Sequence, residues 1–201
     1  MDSSQPFADA PLRVEDLALV RGGRTLFSDL SLAAGSGDYV EIVGPNGAGK
    51  TSLLRAIAGF LRPAAGRICF AGDLSLAAHM LGHRDGLKPA LTVKAHLDFW
   101  IGLLGSQASA DAALDRVGLA SLAALPTRVL SQGQGRRLAL ARLIAVPRPL
   151  WLLDEPAAGL DANGKALLAD LVREHCGGGG IALAAVHEPL GPKPTQTVAL
   201  A

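Results

Sequence analysis

Eight residues, Gly44-Pro45-Asn46-Gly47-Ala48-Gly49-Lys50-Thr51, read G-x-x-x-x-G-K-[ST] and stand between segments of opposite periodicity. Before them Tyr39-Val40-Glu41-Ile42-Val43 is a β-rich run; after them Leu53, Leu54, Ile57, Ala58 and Leu61 recur at helical spacing across Ser52–Leu61. Strand, glycine-rich loop and helix in that order make a phosphate cradle. The glycines let consecutive backbone amides curl around phosphate oxygens, and the helix N-terminus adds a partial positive charge. Lys50 is placed to reach the β- and γ-phosphates, and Thr51 to offer its hydroxyl to the Mg²⁺ that a triphosphate carries. A chance Gly-Lys-Thr in an ordinary turn would not be expected to bring both flanking patterns with it.

A second segment supplies the opposite charge. Leu150-Trp151-Leu152-Leu153 is a continuous apolar run, as expected of a strand buried on both faces of a parallel sheet, and it delivers Asp154 and Glu155 at its C-terminal end. Two adjacent carboxylates there suit different tasks: Asp154 for Mg²⁺, Glu155 as the general base that polarises an attacking water. Pro156 turns the chain immediately afterwards.

The remaining elements place these motifs in an α/β fold. Leu12–Leu32 alternates apolar and polar residues about Gly22-Gly23 and predicts an antiparallel hairpin; Arg67–Phe70 predicts a further strand. The Leu/Ala-rich stretch from Leu91 to Leu125 predicts a helical lobe, Arg136–Val146 a helix stopped by Pro147, Asn163–His175 another helix, and Ile181–Val186 a last buried strand. Alternating strands and helices imply a parallel sheet.

Composition narrows the function. The 201 residues are 49% hydrophobic and 18% charged, too apolar for a disordered chain, and they fit one domain, 1–201, with a helical lobe at roughly 85–145. Arg137, Arg142 and Arg148 interrupt the longest apolar candidate for a membrane span, and Met1–Ala10 lacks the pattern of a secretory signal, so the expected compartment is the cytoplasm. A net charge of +1 without a Lys/Arg cluster argues against nucleic acid as a partner. Cys69 and Cys176 have no ligand spacing, and His79, His96 and His175 are isolated, so they are read as ordinary core or surface residues.

A phosphate loop alone suits a nucleotide kinase, a GTPase, a helicase or a transport ATPase. The discriminating stretch is Leu130-Ser131-Gln132-Gly133-Gln134, followed by Arg137-Leu138-Ala139-Leu140-Ala141-Arg142. It resembles the LSGGQ signature of ATP-binding cassette (ABC) proteins. His83 then falls where that family has its Q-loop, Ala158-Gly159-Leu160-Asp161 resembles the D-loop, and His187 the switch histidine. The resemblance implies a P-loop NTPase fold with a RecA-like parallel-sheet core, an N-terminal antiparallel β subdomain and a helical lobe. It implies a homodimer in which Ser131, Gly133, Gln134 and Asp161 of one copy close over ATP and Mg²⁺ held by Gly44–Thr51 of the other. Lys50, Glu155 and His187 would be catalytic, with Thr51, Asp154 and His83 around the metal.

Three positions depart from the family pattern. Gln132 replaces the first signature glycine, His83 stands in place of the Q-loop glutamine, and Arg21 occupies the place of the aromatic that stacks on adenine, where a guanidinium plane can stack instead. Together with the Gly82–Thr92 segment, these resemble the cytochrome c maturation branch of the family. That branch implies an ATPase peripheral to the cytoplasmic side of the inner membrane, working with integral membrane subunits in haem export or release of a haem chaperone; with His79, His96 and His175 isolated, no direct haem binding by this chain is expected. The alternatives are a small ABC exporter of another substance and a soluble, non-transport ABC protein.

Overall fold

The computed structural model describes residues 11–83 and 85–201; the readings of Met1–Ala10 and of Arg84 lie outside them. In chain order the elements are β1 (Leu12–Arg21), β2 (Arg24–Ala34), β3 (Tyr39–Val43), α1 (Lys50–Ile57), β4 (Ala65–Phe70), α2 (Leu74–Ala77) and β5 (Ala78–Leu81). Then follow α3 (Val93–Leu103), α4 (Ala110–Arg116), α5 (Gln132–Ala145), β6 (Leu150–Asp154), α6 (Ala162–Gly177), β7 (Ile181–Ala185) and β8 (Gln196–Ala199). Two sheets result: an antiparallel one in the order β2-β1-β4, and a parallel one in the order β5-β6-β7-β3-β8.

The parallel sheet separates two cores, and its strands show why they are apolar throughout. Leu150 and Leu152 of β6 face the core shared with α1 and the antiparallel sheet, whereas Trp151 and Leu153 face the core shared with α3, α4, α5 and α6. β7 divides in the same way, Ile181, Leu183 and Ala185 on one side and Ala182 and Ala184 on the other. α3 and α4, with 3-10 turns at Ala120–Leu122 and Thr127–Val129, form the helical lobe against α5. The three-part arrangement expected from the sequence is therefore present: a RecA-like parallel core, an antiparallel N-terminal subdomain and a helical lobe.

Two helix ends differ from the sequence reading by about a turn, each for a local reason, and two short strands are additional to it. The helix expected to reach Leu61 stops at Ile57: Gly59, at φ 78°, lets the Phe60 amide donate back to Arg55 O (2.8 Å) and the Gly59 amide to Ala56 O (3.0 Å). The helix expected from Arg136 begins a turn earlier, at Gln132, because Ser131 caps it in a capping box with Gln134. β5 and β8, four residues each, were not anticipated; each is too short to show a period and is recruited by its neighbours, β6 and β3. Among the described residues no helix is long and apolar enough to cross a membrane.

The histidines read as ordinary residues are largely interior. His79 and His96 are buried, and burial lowers both to about 4. His175 stacks on Trp151 at 3.9 Å between ring centroids. Cys69 and Cys176 are free thiols, and burial raises Cys176 to about 11.

Candidate nucleotide site

The loop 44–49 is built so that only glycine serves at its ends. A β-carbon on Gly44, whose φ is 146°, would lie 2.3 Å from Leu200 O, and one on Gly49, at φ 105°, would press on the Phe27 ring at 3.1 Å. Behind the loop, α1 starts with no side-chain cap and no acidic residue in its first turn. Its first amides are left for an anion. Lys50 is buried and folds back over the loop, Nζ donating to Gly44 O at 2.6 Å and Pro45 O at 3.1 Å. An ammonium held by two carbonyls at the loop mouth can transfer those contacts to phosphate oxygens.

The cavity in front of the loop, about 250 Å³, is lined by Arg21, Leu26, Asn46, Gly47, Gly49, Lys50, Thr51, Ser52 and Glu155. Arg21, which ends β1, thus shares the cavity with the phosphate loop. Thr51 Oγ1 donates to Asp154 Oδ1 at 2.8 Å, bringing the helix start and the end of β6 together. Asp154 is 2% exposed, and its other oxygen, Oδ2, is buried without a hydrogen-bond partner among the described residues. A hydroxyl beside a carboxylate with one oxygen to spare fits the hard-oxygen preference of Mg²⁺. Glu155 takes φ 48°, a left-handed backbone unusual for a residue with a β-carbon, and its amide donates to Ala185 O of β7 at 3.0 Å. Its Oε1 lies 3.0 Å from His187 Nε2 and its Oε2 3.8 Å from His83 Nδ1. One carboxylate therefore sits between two imidazoles, one from the segment after β5 and one from the segment after β7.

The other expected nucleotide contacts are grouped elsewhere. Ser131 caps α5, its hydroxyl accepting from the Gln134 amide at 3.2 Å while Gln134 Oε1 accepts from the Ser131 amide at 2.9 Å. Asp161 caps α6 by accepting from the Gly164 amide at 2.8 Å, and the Arg137 guanidinium at 2.6 Å, with that amide, holds its carboxyl below the usual range. Gln132 lies in helical backbone and needs no glycine conformation; its side chain instead fills the space beside Gly159, 3.0 Å from where a β-carbon there would be. Gly133 approaches Gly159 O so closely that a β-carbon would lie at 2.9 Å. Ser131, Gly133, Gln134 and Asp161 therefore form one surface, packed through Gly159. None of them lines the phosphate-loop cavity of the same chain, and neither does His83, whose imidazole faces Glu155 and an adjoining cleft.

The sequence reading passed over one residue at the site. Arg136, a helix residue in the sequence pattern, has a side chain 3% exposed that joins α5 to the end of β6. A buried arginine within an amphipathic pattern gives no signal before its partners are known.

This fold and this geometry define an ATP-hydrolysing subunit of the ABC type. The ABC transporter family matches residues 27–158, and the chain belongs to that family. A solved structure titled as a putative ABC transporter ATP-binding protein from Pyrococcus furiosus superposes with a TM-score of 0.83 at 25% identity, covering 94% of this chain and 96% of that one. Within the family the chain is closely related to CcmA proteins. It is 56% identical to the cytochrome c biogenesis ATP-binding export protein CcmA of Nitrobacter winogradskyi, across 87% of this chain and 90% of that protein. It is 48% identical to the protein of the same name from Chelativorans sp., across 92% and 95%.

Proposed function

We propose that two copies of this chain bind two ATP molecules between them and hydrolyse ATP to power a membrane complex for c-type cytochrome biogenesis. The separation of the two halves of the site carries this reading. Gly44–Thr51, Asp154 and Glu155 form one half, whereas Ser131, Gly133, Gln134 and Asp161 form a second surface outside that cavity. A two-fold pair of chains brings each half against its complement, since an isologous interface presents the same two patches twice.

Each residue then has a task. The amides of 44–51 and Lys50 Nζ bind the phosphates, and Arg21 stacks on the base. Thr51 and Asp154 would hold Mg²⁺, which would supply charge neutralisation to the triphosphate. Glu155 accepts a proton from the water that attacks the γ-phosphorus, giving ADP and inorganic phosphate, and His187 at 3.0 Å orients that carboxylate. Ser131 and the Gly133 amide, at the tip of α5, bind the γ-phosphate of the nucleotide on the opposite chain, so that its loss weakens the interface.

The same reading makes the chain peripheral to the cytoplasmic face of the inner membrane, docked on permease subunits, with export of haem or release of a haem chaperone as the work done. Relatives named for cytochrome c biogenesis and export support it. The test is complementation: in cells lacking their own such ATPase, the wild-type chain should restore c-type cytochromes and co-purify with the maturation membrane subunits. Restoration by a Lys50→Ala chain, or co-purification with an unrelated permease alone, would overturn the assignment.

A further inference from the structure

We propose that Arg136 is a positioning residue for Glu155, holding the carboxylate in its working place and tying it to the helix that carries the signature. The inference rests on the reading that Glu155 polarises the attacking water.

A guanidinium has five N–H donors, and here every one is used. Nε donates to Pro156 O at 3.0 Å; Nη2 donates to Asp154 O at 3.0 Å and Glu155 O at 2.5 Å; Nη1 donates to Gly82 O and Asp85 Oδ1, both at 2.8 Å. Three consecutive carbonyls, 154 to 156, thus converge on one cation. Successive carbonyls of an extended strand point to opposite sides, so this convergence requires the chain to leave the strand conformation at its end. It does so at Glu155, whose φ of 48° is adopted by a residue with a β-carbon only where the surroundings hold it. Arg136 is the group that surrounds it, and the same turn directs the Glu155 carboxylate between His187 and His83.

The fourth and fifth bonds extend this to the other side of the carboxylate. Gly82 immediately precedes His83, so the Gly82 carbonyl held by Arg136 anchors the segment that brings one imidazole to Glu155. Asp85, 18% exposed in its side chain, supplies the counter-charge that a buried cation needs. Packing leaves little freedom: a β-carbon on Gly135, the residue before Arg136, would meet Leu87 at 3.0 Å. Arg136 lies in the second turn of α5, whose N-terminal tip is Ser131, so a displacement of that tip is transmitted to the backbone around Glu155 through the three hydrogen bonds to the carbonyls of 154–156.

The experiment compares Arg136→Lys in the wild-type and Glu155→Gln backgrounds, reading turnover, ATP affinity with a fluorescent ATP analogue, and thermal unfolding. We expect folded Arg136→Lys to lose about 10²-fold in kcat with ATP affinity within about threefold, because an ångström of misplacement at a reacting group has that effect. In the Glu155→Gln background, the same substitution should lower the residual turnover by less than about threefold, since residues acting as a unit are not additive. Turnover of Arg136→Lys close to wild type, a fall in ATP affinity matching the fall in kcat, or full multiplication of the two effects would each overturn the proposal. If Arg136→Lys does not fold, Asp85 serves: Asp85→Ala should lower kcat at unchanged ATP affinity and Asp85→Asn should restore it, whereas equal turnover in all three overturns the proposal. If Glu155→Gln alone hydrolyses ATP like wild type, the reading of Glu155 fails instead, whatever Arg136 does.

Discussion

Thr51 Oγ1 donates a hydrogen bond to Asp154 Oδ1 at 2.8 Å, joining the first turn of α1 to the end of β6 and leaving Asp154 Oδ2 buried without a partner among the described residues. A buried carboxylate oxygen without a donor is costly unless a cation takes it. Thr51→Val keeps the shape and removes the hydroxyl. It should raise the Mg²⁺ concentration for half-maximal turnover by about 10-fold or more, and Thr51→Ser should restore it. Mg²⁺ titration of ATPase activity checks this; an unchanged half-saturation would remove Thr51 from the metal site.

The loop itself grips the Lys50 ammonium, through Gly44 O and Pro45 O. Lys50→Ala should lower turnover by about 10²-fold or more, as expected when one preorganised group facing transferring phosphate is removed. The unfolding temperature in the absence of nucleotide should shift little. Phosphate-release assays and thermal unfolding separate the two effects.

Two glycines of one loop should respond differently to the same change. A β-carbon on Gly44 meets Leu200 O at 2.3 Å, whereas one on Gly47, at φ 85°, meets nothing within 4 Å. Gly47→Ala should cost about 1–2 kcal/mol from backbone conformation alone. Gly44→Ala adds overpacking of about 1–3 kcal/mol against the chain near its C-terminal end. Urea unfolding of the two variants should rank them in that order.

Stability should fall on mild acidification. Burial first, and the Arg142 charge second, lower His79 and His96 to about 4 from the ordinary 6.5, so both are neutral in the folded chain at pH 7. As pH falls below 6.5 the unfolded chain takes up these protons first, and the folded chain follows only near 4; between those values each histidine reduces the unfolding free energy by about 1.4 kcal/mol per pH unit. Above 6.5 the two contribute no slope. His96→Phe, which retains an aromatic edge towards Trp100, should remove about half of this dependence. Urea midpoints at several pH values check it, and an identical slope in the variant would contradict it.

What could be read in advance follows the range of the interactions. The phosphate loop, β3 and β6 were legible because their signals are local: glycines where backbone must approach an anion, and apolar runs where a strand is covered on both faces. The capping box of Ser131 with Gln134 is equally local, yet it is absent from the reading that starts the helix at Arg136. The Leu200 carbonyl against Gly44, the Phe27 ring against Gly49 and the five bonds of Arg136 join residues far apart in the chain, and no periodicity encodes them. The Glu155 carboxylate was expected from β6, but its place between His83 and His187 depends on how β5 and β7 flank that strand.

The ATP-driven pairing of two chains, ended by Glu155-dependent hydrolysis, is tested most directly by light scattering of the Glu155→Gln protein with and without Mg-ATP. With nucleotide it should form a lasting particle of twice the 20.6 kDa chain mass and release almost no phosphate, while the wild-type particle reverts to single chains as ATP is consumed. Single chains at saturating ATP, together with phosphate release at the wild-type rate, would contradict it.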